Sequence, residues 1–148
     1  MGRIEKSVEI RAPPDRVWEM LAFDRMPEWS EQYKSVEYTS EVRTPEDKYR
    51  VGASCRIDTK EGVVEIEVTE SLENEKIMYR VQGMRGVRNV NGTFTLESTE
   101  AGTKVTAVTD YEPSDLMMKM LSKLGVLNRA IEKDFEKGLE KLKSILEK

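Results

Sequence analysis

Between Arg3 and Arg11 apolar and polar residues alternate. Ile4, Val8 and Ile10 fall on one face, and Arg3, Glu5, Ser7, Glu9 and Arg11 on the other. A period of two is the signature of a strand with one buried face. Ala12-Pro13-Pro14-Asp15 breaks the alternation, and Val17, Trp18 and Leu21 follow at helical spacing. Proline in a first turn and an acid beside it suit a helix start. A second short helix is predicted to begin at Pro27 and to carry Trp29. From residue 35 the period returns to two. Val36 and Tyr38 share a face, and Tyr49, Val51, Ala53, Cys55 and Ile57 share the next. Lys60-Glu61-Gly62 reads as a hairpin turn, answered by Val64, Ile66 and Val68. Glu73-Asn74-Glu75, Gly83-Met84-Arg85-Gly86 and Ala101-Gly102-Thr103 are the later turns. They separate the faces Ile77, Tyr79 and Val81, then Val90, Phe94 and Leu96, then Val105, Ala107, Thr109 and Tyr111.

At residues 114–147 the period changes to that of a helix. Leu121, Leu124, Ile131, Phe135, Leu139, Leu142 and Leu146 recur at steps of three, four and seven, with Lys, Glu and Asp on the opposite face. Ser114 is the expected N-cap. A straight helix of this length would run about 50 Å at roughly 1.5 Å per residue. A bend is therefore expected near Gly125, with Gly138 a lesser weak point. Strands with one apolar face, joined in series by short turns, make an antiparallel meander. One long amphipathic helix is left to cover it, which is an α+β layout. The pattern predicts a single domain over residues 1–148: a curved antiparallel sheet wrapped around the C-terminal helix, with two short helices after the first strand.

Composition removes several chemistries. The chain has no histidine and a single cysteine, Cys55. It therefore offers no Ser-His-Asp triad, no Cys-His pair, no histidine-liganded zinc site and no internal disulfide. The net charge is -4, which disfavours a nucleic-acid partner. No segment has the apolar length to span a bilayer, so stable membrane insertion is not expected. The opening Met1-Gly2-Arg3-Ile4-Glu5-Lys6 lacks the apolar run of a signal peptide. A cytoplasmic location is expected. Nothing in the pattern sets an oligomeric state.

Several stretches resemble the START-like, helix-grip superfamily, also called SRPBCC, and within it the polyketide cyclase/dehydrase and lipid-transport branch. They are Val8-Glu9-Ile10-Arg11-Ala12-Pro13-Pro14-Asp15-Arg16-Val17-Trp18, Asp24-Arg25-Met26-Pro27-Glu28-Trp29, Gly92-Thr93-Phe94, Gly102-Thr103-Lys104-Val105 and the helix ending Leu139-Glu140-Lys141-Leu142-Lys143. The resemblance covers essentially the whole chain. It implies a cavity between sheet and helix that holds an apolar or amphipathic small molecule, lipid-like, polyketide or aromatic. Its members range from lipid carriers to aromatic cyclases and chaperone co-activators, so the fold does not choose among them.

Candidate ligand contacts follow from placing the residues in such a grip. Tyr79, Val81, Phe94 and Tyr111 lie on the apolar strand faces, and Trp29 lies on the second short helix. Met84 sits in a hairpin turn, while Met117, Met120, Leu121 and Leu124 open the last helix. Tyrosine hydroxyls there either orient a ligand or end core aromatics whose tips reach water or backbone. Methionine suits a mouth that accepts varied apolar partners, and equally fills a core. Met118 is expected to be exposed. Cys55 reads as a buried, inert thiol. Asp110 and Glu112 read as solvated charges. No catalytic residue, metal ligand or cofactor site is assigned. The expected function is binding or transport of a hydrophobic small molecule. A cofactor-free cyclase or dehydratase using tyrosines as acids is the alternative, and a chaperone co-activator-like interaction module the second.

Overall fold

A computed structural model describes residues 2–60, 62–123 and 125–148. The sheet has seven strands: β1 (Gly2–Ile10), β2 (Tyr33–Tyr38), β3 (Ser54–Thr59), β4 (Gly62–Leu72), β5 (Lys76–Gln82), β6 (Val87–Ser98) and β7 (Thr103–Pro113). Their order is β1-β7-β6-β5-β4-β3-β2, antiparallel throughout. A longer connection through residues 39–53 joins β2 to β3, and the meander from β3 to β7 follows from its short turns. Two of these use backbone that few side chains tolerate: Asn74 at φ 62° and Gly83 at φ 96°. Helix α1 (Pro14–Met20) and a 3₁₀ helix, Phe23–Glu28, link β1 to β2. Helices α2 (Leu116–Lys123) and α3 (Val126–Leu146) follow β7. This is the α+β layout that the periodicity predicts and the helix-grip fold that the resemblance implies. The expected bend falls at Gly125, whose φ of 76° ends α2 and starts α3. The Lys60-Glu61-Gly62 turn includes Glu61, which lies outside the described residues.

The strand registers are those read from the alternation. Val64, Ile66, Val68, Tyr79, Phe94 and Leu96 are buried on the face toward the helix, and Val81 is half-buried there. Leu139, Leu142 and Leu146 of α3 close the main core, together with Trp18, Leu21 and Phe23. A second, smaller cluster holds Ile4, Val90 and Tyr111. Val81 and Phe135 pack against both. The C-terminal half of α3 is also tied to the edge strand β1. Lys143 Nζ donates to the Glu9 carbonyl at 2.8 Å, and the Arg11 amide donates to Glu147 Oε2 at 2.8 Å. Lys6 Nζ lies 2.9 Å from Glu136 Oε1. These contacts occupy backbone groups at the end of an edge strand.

Three local expectations are corrected. Tyr49, Val51 and Ala53 do not continue β3. Residues Pro45–Lys48 form a 3₁₀ turn, and Gly52 at φ 94° redirects the chain. The alternation there is coincidental: Val51 is 59% exposed, while Tyr49 stacks on Trp18 at 5.0 Å and donates to the Trp18 carbonyl. The second short helix does not start at Pro27 but contains it, with Trp29 following its end. The cap of α2 is Asp115 rather than Ser114, since Asp115 Oδ1 accepts from the Met118 amide at 2.8 Å.

Two predictions follow from this packing. Leu142→Ala should lower stability by about 2–5 kcal/mol in denaturant titration, because Leu142 is fully buried and the cavity it leaves is boxed by the sheet. Val51→Ala should change it by less than about 0.5 kcal/mol. The second concerns Asp47, whose carboxylate accepts from the Arg43 and Thr44 amides at 2.9 and 3.1 Å and pairs with Arg50. Those amides, ahead of Arg50, hold its pKa below the usual carboxylate value. A depressed pKa means stability present above the unfolded value, about 3.9, and lost as pH falls through the lower folded one. Denaturant midpoints taken at descending pH should therefore drop less steeply below about pH 4 in Asp47→Asn than in the parent chain.

Candidate functional site

The first half of α3 stands off the sheet and leaves a cavity of about 260 Å³. Its floor is the inward face of β4 to β7: Val64 and Ile66, Tyr79 and Val81, Val90 and Phe94, then Ala107, Thr109 and Tyr111. Ile131, Phe135 and Leu139 of α3 form the roof. Met26, Trp29 and Tyr33 wall one side. Met84 and Arg85 of the β5–β6 turn, with Asp134 and Gln32, complete the rim. Gln32 Nε2 donates to Asp134 Oδ2 at 2.7 Å and ties the segment before β2 to α3.

Two cross-strand glycines shape the floor. Gly92 faces Tyr79 across β5 and β6, and Gly2 faces Tyr111 across β1 and β7. A Cβ on Gly92 would stand 2.4 Å from Tyr79 Cζ, and one on Gly2 would stand 2.1 Å from Tyr111 Cζ. Each ring lies flat over its glycine, which is why a residue without a side chain occupies the strand interior there. Tyr79 also meets Phe23 edge-on at 5.6 Å and tilts against Phe94 at 6.1 Å. Trp29 meets Phe94 edge-on at 6.0 Å, rests on Gly138 of α3, and donates Nε1–H to the Met20 carbonyl at 2.8 Å.

The polar tips of the tyrosines differ. The Tyr111 hydroxyl donates to Asn128 Oδ1 on α3. The Tyr33 and Tyr79 hydroxyls have no hydrogen-bond partner among the described residues, and no buried polar side-chain atom there is sealed without one. Both hydroxyls therefore open onto space that water or a ligand can fill. Burial pushes the Tyr33 phenol up to about 12, with the neighbouring Cys55 adding to it. Burial raises Tyr79 well above its ordinary value, with Tyr33 adding. Both stay neutral at pH 7, able to donate and to accept. Cys55 is buried and its thiol is pushed up to about 12 by burial and then by Asp24, so it is an unreactive thiol.

Of the residues singled out in the sequence, Trp29, Tyr79, Val81, Met84, Phe94 and Tyr111 meet at this cavity. Met117 and Met120 do not. They are 71% and 59% exposed on the outer side of α2, and it is Met118 that packs on Gly86 of the hairpin turn. The cause is helical phase: Met118 is rotated about 100° from Met117 and about 200° from Met120, so only one side of the helix reaches the turn. Leu121 is half-buried and does not line the cavity. Leu124 lies outside the described residues. Asp110 and Glu112 are half-exposed and pair with Arg3 and Arg88. The sequence reading overlooked Tyr33, Gln32, Asp134 and Arg85. Only the glycine at position 92 signalled a close approach, without naming the ring that makes it. No described helix is long and apolar enough to cross a membrane.

Comparison with known proteins places the fold. A family profile described as polyketide cyclase/dehydrase and lipid transport matches residues 1–147. No curated protein sequence matches the chain. Among solved structures, the protein XoxI from Bacillus cereus is 18% identical, with a TM-score of 0.76 over 99% of this chain and 96% of that one. The Aha1 dimer from Colwellia psychrerythraea is 18% identical, with a TM-score of 0.70 over 99% and 97%. The di-domain ARO/CYC StfQ of the steffimycin biosynthetic pathway is 18% identical, with a TM-score of 0.72 over 98% of this chain and 50% of that one. At these identities the likeness is one of fold. The family match covers all but the last residue, and the chain belongs to the polyketide cyclase/dehydrase and lipid transport family.

Proposed function

We propose that residues 1–148 act as one domain that binds and carries a compact apolar molecule bearing a carbonyl or hydroxyl group. The observation that carries this reading is the pair of hydroxyls, Tyr33 and Tyr79, without a hydrogen-bond partner among the described residues, at an otherwise largely apolar cavity. An apolar pocket with a few convergent polar groups is the usual form of a small-molecule site. Left dry, 260 Å³ would cost about 6 kcal/mol at roughly 24 cal/mol per Å³, comparable to the whole stability of a domain. An occupant offsets that cost. Water fills roughly 30 Å³ in the liquid, so the space equals about nine waters, the bulk of a small bicyclic compound rather than a diacyl lipid. The raised phenols favour binding over chemistry. A phenol raised above its ordinary value is a poorer acid than free tyrosine, so Tyr33 and Tyr79 orient a ligand better than they protonate one.

Titration with 2-naphthol, read by quenching of Trp29 in the cavity wall, tests this. Micromolar binding is expected, worth about 8 kcal/mol. Tyr33→Phe and Tyr79→Phe should each weaken it about three- to tenfold, the worth of one hydrogen bond. Each should leave stability within about 1 kcal/mol of the parent, because neither hydroxyl has an internal partner to lose. Absence of binding, or loss of stability without loss of affinity, would remove the reading.

A further inference from the structure

We infer that the outer face of α2 is a docking surface for an anionic lipid bilayer. Leu116, Met117 and Met120 are 76%, 71% and 59% exposed. At 100° per residue they fall within about 100° of the helix circumference and form one apolar stripe. Isolated exposed apolar residues need no explanation, but a contiguous stripe marks an interaction site.

The charge beside the stripe selects the partner. Lys119 and Lys123 flank it on the same helix, and Arg85 projects from the β5–β6 turn. The Ser114 amide donates to the Gly86 carbonyl at 3.0 Å and Met118 packs on Gly86, so turn and helix form one surface. None of these three cations forms an ion pair among the described residues. The acid of the helix, Asp115, is engaged at the Met118 amide. On a chain of net charge -4 this end is locally basic. Exposed Leu and Met bordered by Lys and Arg is the composition of a helix that lies in a headgroup layer, with apolar side chains below and amines snorkelling above. Met84 and Arg85 of the same turn line the cavity rim, so the docked helix would be packed directly on an element that borders the cavity. The inference rests on the carrier reading only for what the docked protein would take up.

Sedimentation of the full chain with vesicles of equal parts phosphatidylcholine and phosphatidylglycerol tests the surface. Binding is expected to the anionic vesicles, not to phosphatidylcholine alone, and to fall with added salt. Met117→Asp with Met120→Asp, and separately Lys119→Gln with Lys123→Gln, should each reduce it on the order of tenfold. Both double variants should keep the parent's thermal unfolding and its 2-naphthol affinity. Failure to sediment, or equal sedimentation of the variants, overturns the proposal. So does a dimer in solution that the Met117/Met120 variant converts to monomer, since a second copy then covers the stripe. Loss of 2-naphthol binding in the parent chain, with vesicle binding intact, would instead remove the carrier reading and leave the surface standing.

Discussion

Everything at the site depends on α3 being seated closely on the sheet in its second half, while, among the described residues, side-chain ties alone hold its first half over the cavity. Leu139, Leu142 and Leu146 are buried against the sheet, and Lys143 and Glu147 tie the same half to the backbone at the end of β1. The first half carries Ile131 and Phe135, which are half-buried and roof the cavity. A helix seated along its whole length would merge the two apolar clusters into one core. Here, among the described residues, they meet through Val81 and Phe135. Close packing is the ordinary condition of a protein interior, so a persistent gap needs rigid walls. The sheet supplies one, and the C-terminal anchor holds α3 at a fixed height as the other.

The floor of the gap is set by rings rather than by aliphatic side chains. Tyr79 and Tyr111 lie across glycines on neighbouring strands, which lets two large side chains sit close to the sheet instead of standing up into the cavity. The same arrangement separates their polar ends. Asn128 takes up the Tyr111 hydroxyl and so joins β7 to the start of α3. Tyr79 and Tyr33 keep theirs free. One tyrosine therefore braces the grip, and two present hydrogen-bonding groups inside it. This division depends on what α3 and β2 place opposite each ring, not on the strand residues themselves.

That dependence explains what could be read from the chain. Strand registers, the sheet face and the α+β layout follow from side-chain alternation, because a slip of one residue would turn Val64, Ile66 and Phe94 to water. The contribution of Tyr79, Val81, Phe94 and Tyr111 to a common space is legible for the same reason: strand parity fixes which residues point inward. The bend at Gly125 is legible from helix length and a glycine, and Trp29 and Met84 from the resemblance. The failures lie where a pattern was short or the partner distant. Tyr49, Val51 and Ala53 alternate as a strand does, but Pro45, Asp47 and Gly52 build a turn there. Tyr33 and Asp134 reach the cavity through tertiary placement that no local period encodes. The placing of Met117 and Met120 at the mouth rests on the resemblance and on the chemistry of methionine, but helical phase sets Met118 against the turn instead.

Helical phase also makes the two ends of the molecule chemically unlike. At the Leu139–Leu146 end, apolar side chains are covered by α1 and β1, and each lysine or glutamate that reaches the seam is engaged. At the α2 end, Met118 turns toward the β5–β6 turn and Leu121 is half-buried, while Leu116, Met117 and Met120 are left to the outside. Exposing three large apolar side chains in eight residues forgoes burial worth about 1.5–3 kcal/mol for each. Gly125, at φ 76°, is what permits this: it turns the chain between α2 and α3, so that α2 follows the β5–β6 turn rather than the axis of the anchored helix. One glycine thus uncouples a short helix from the grip. The geometry that leaves α2 free of the core packs its inward side, through Met118, on the turn that borders the cavity and turns its apolar stripe outward.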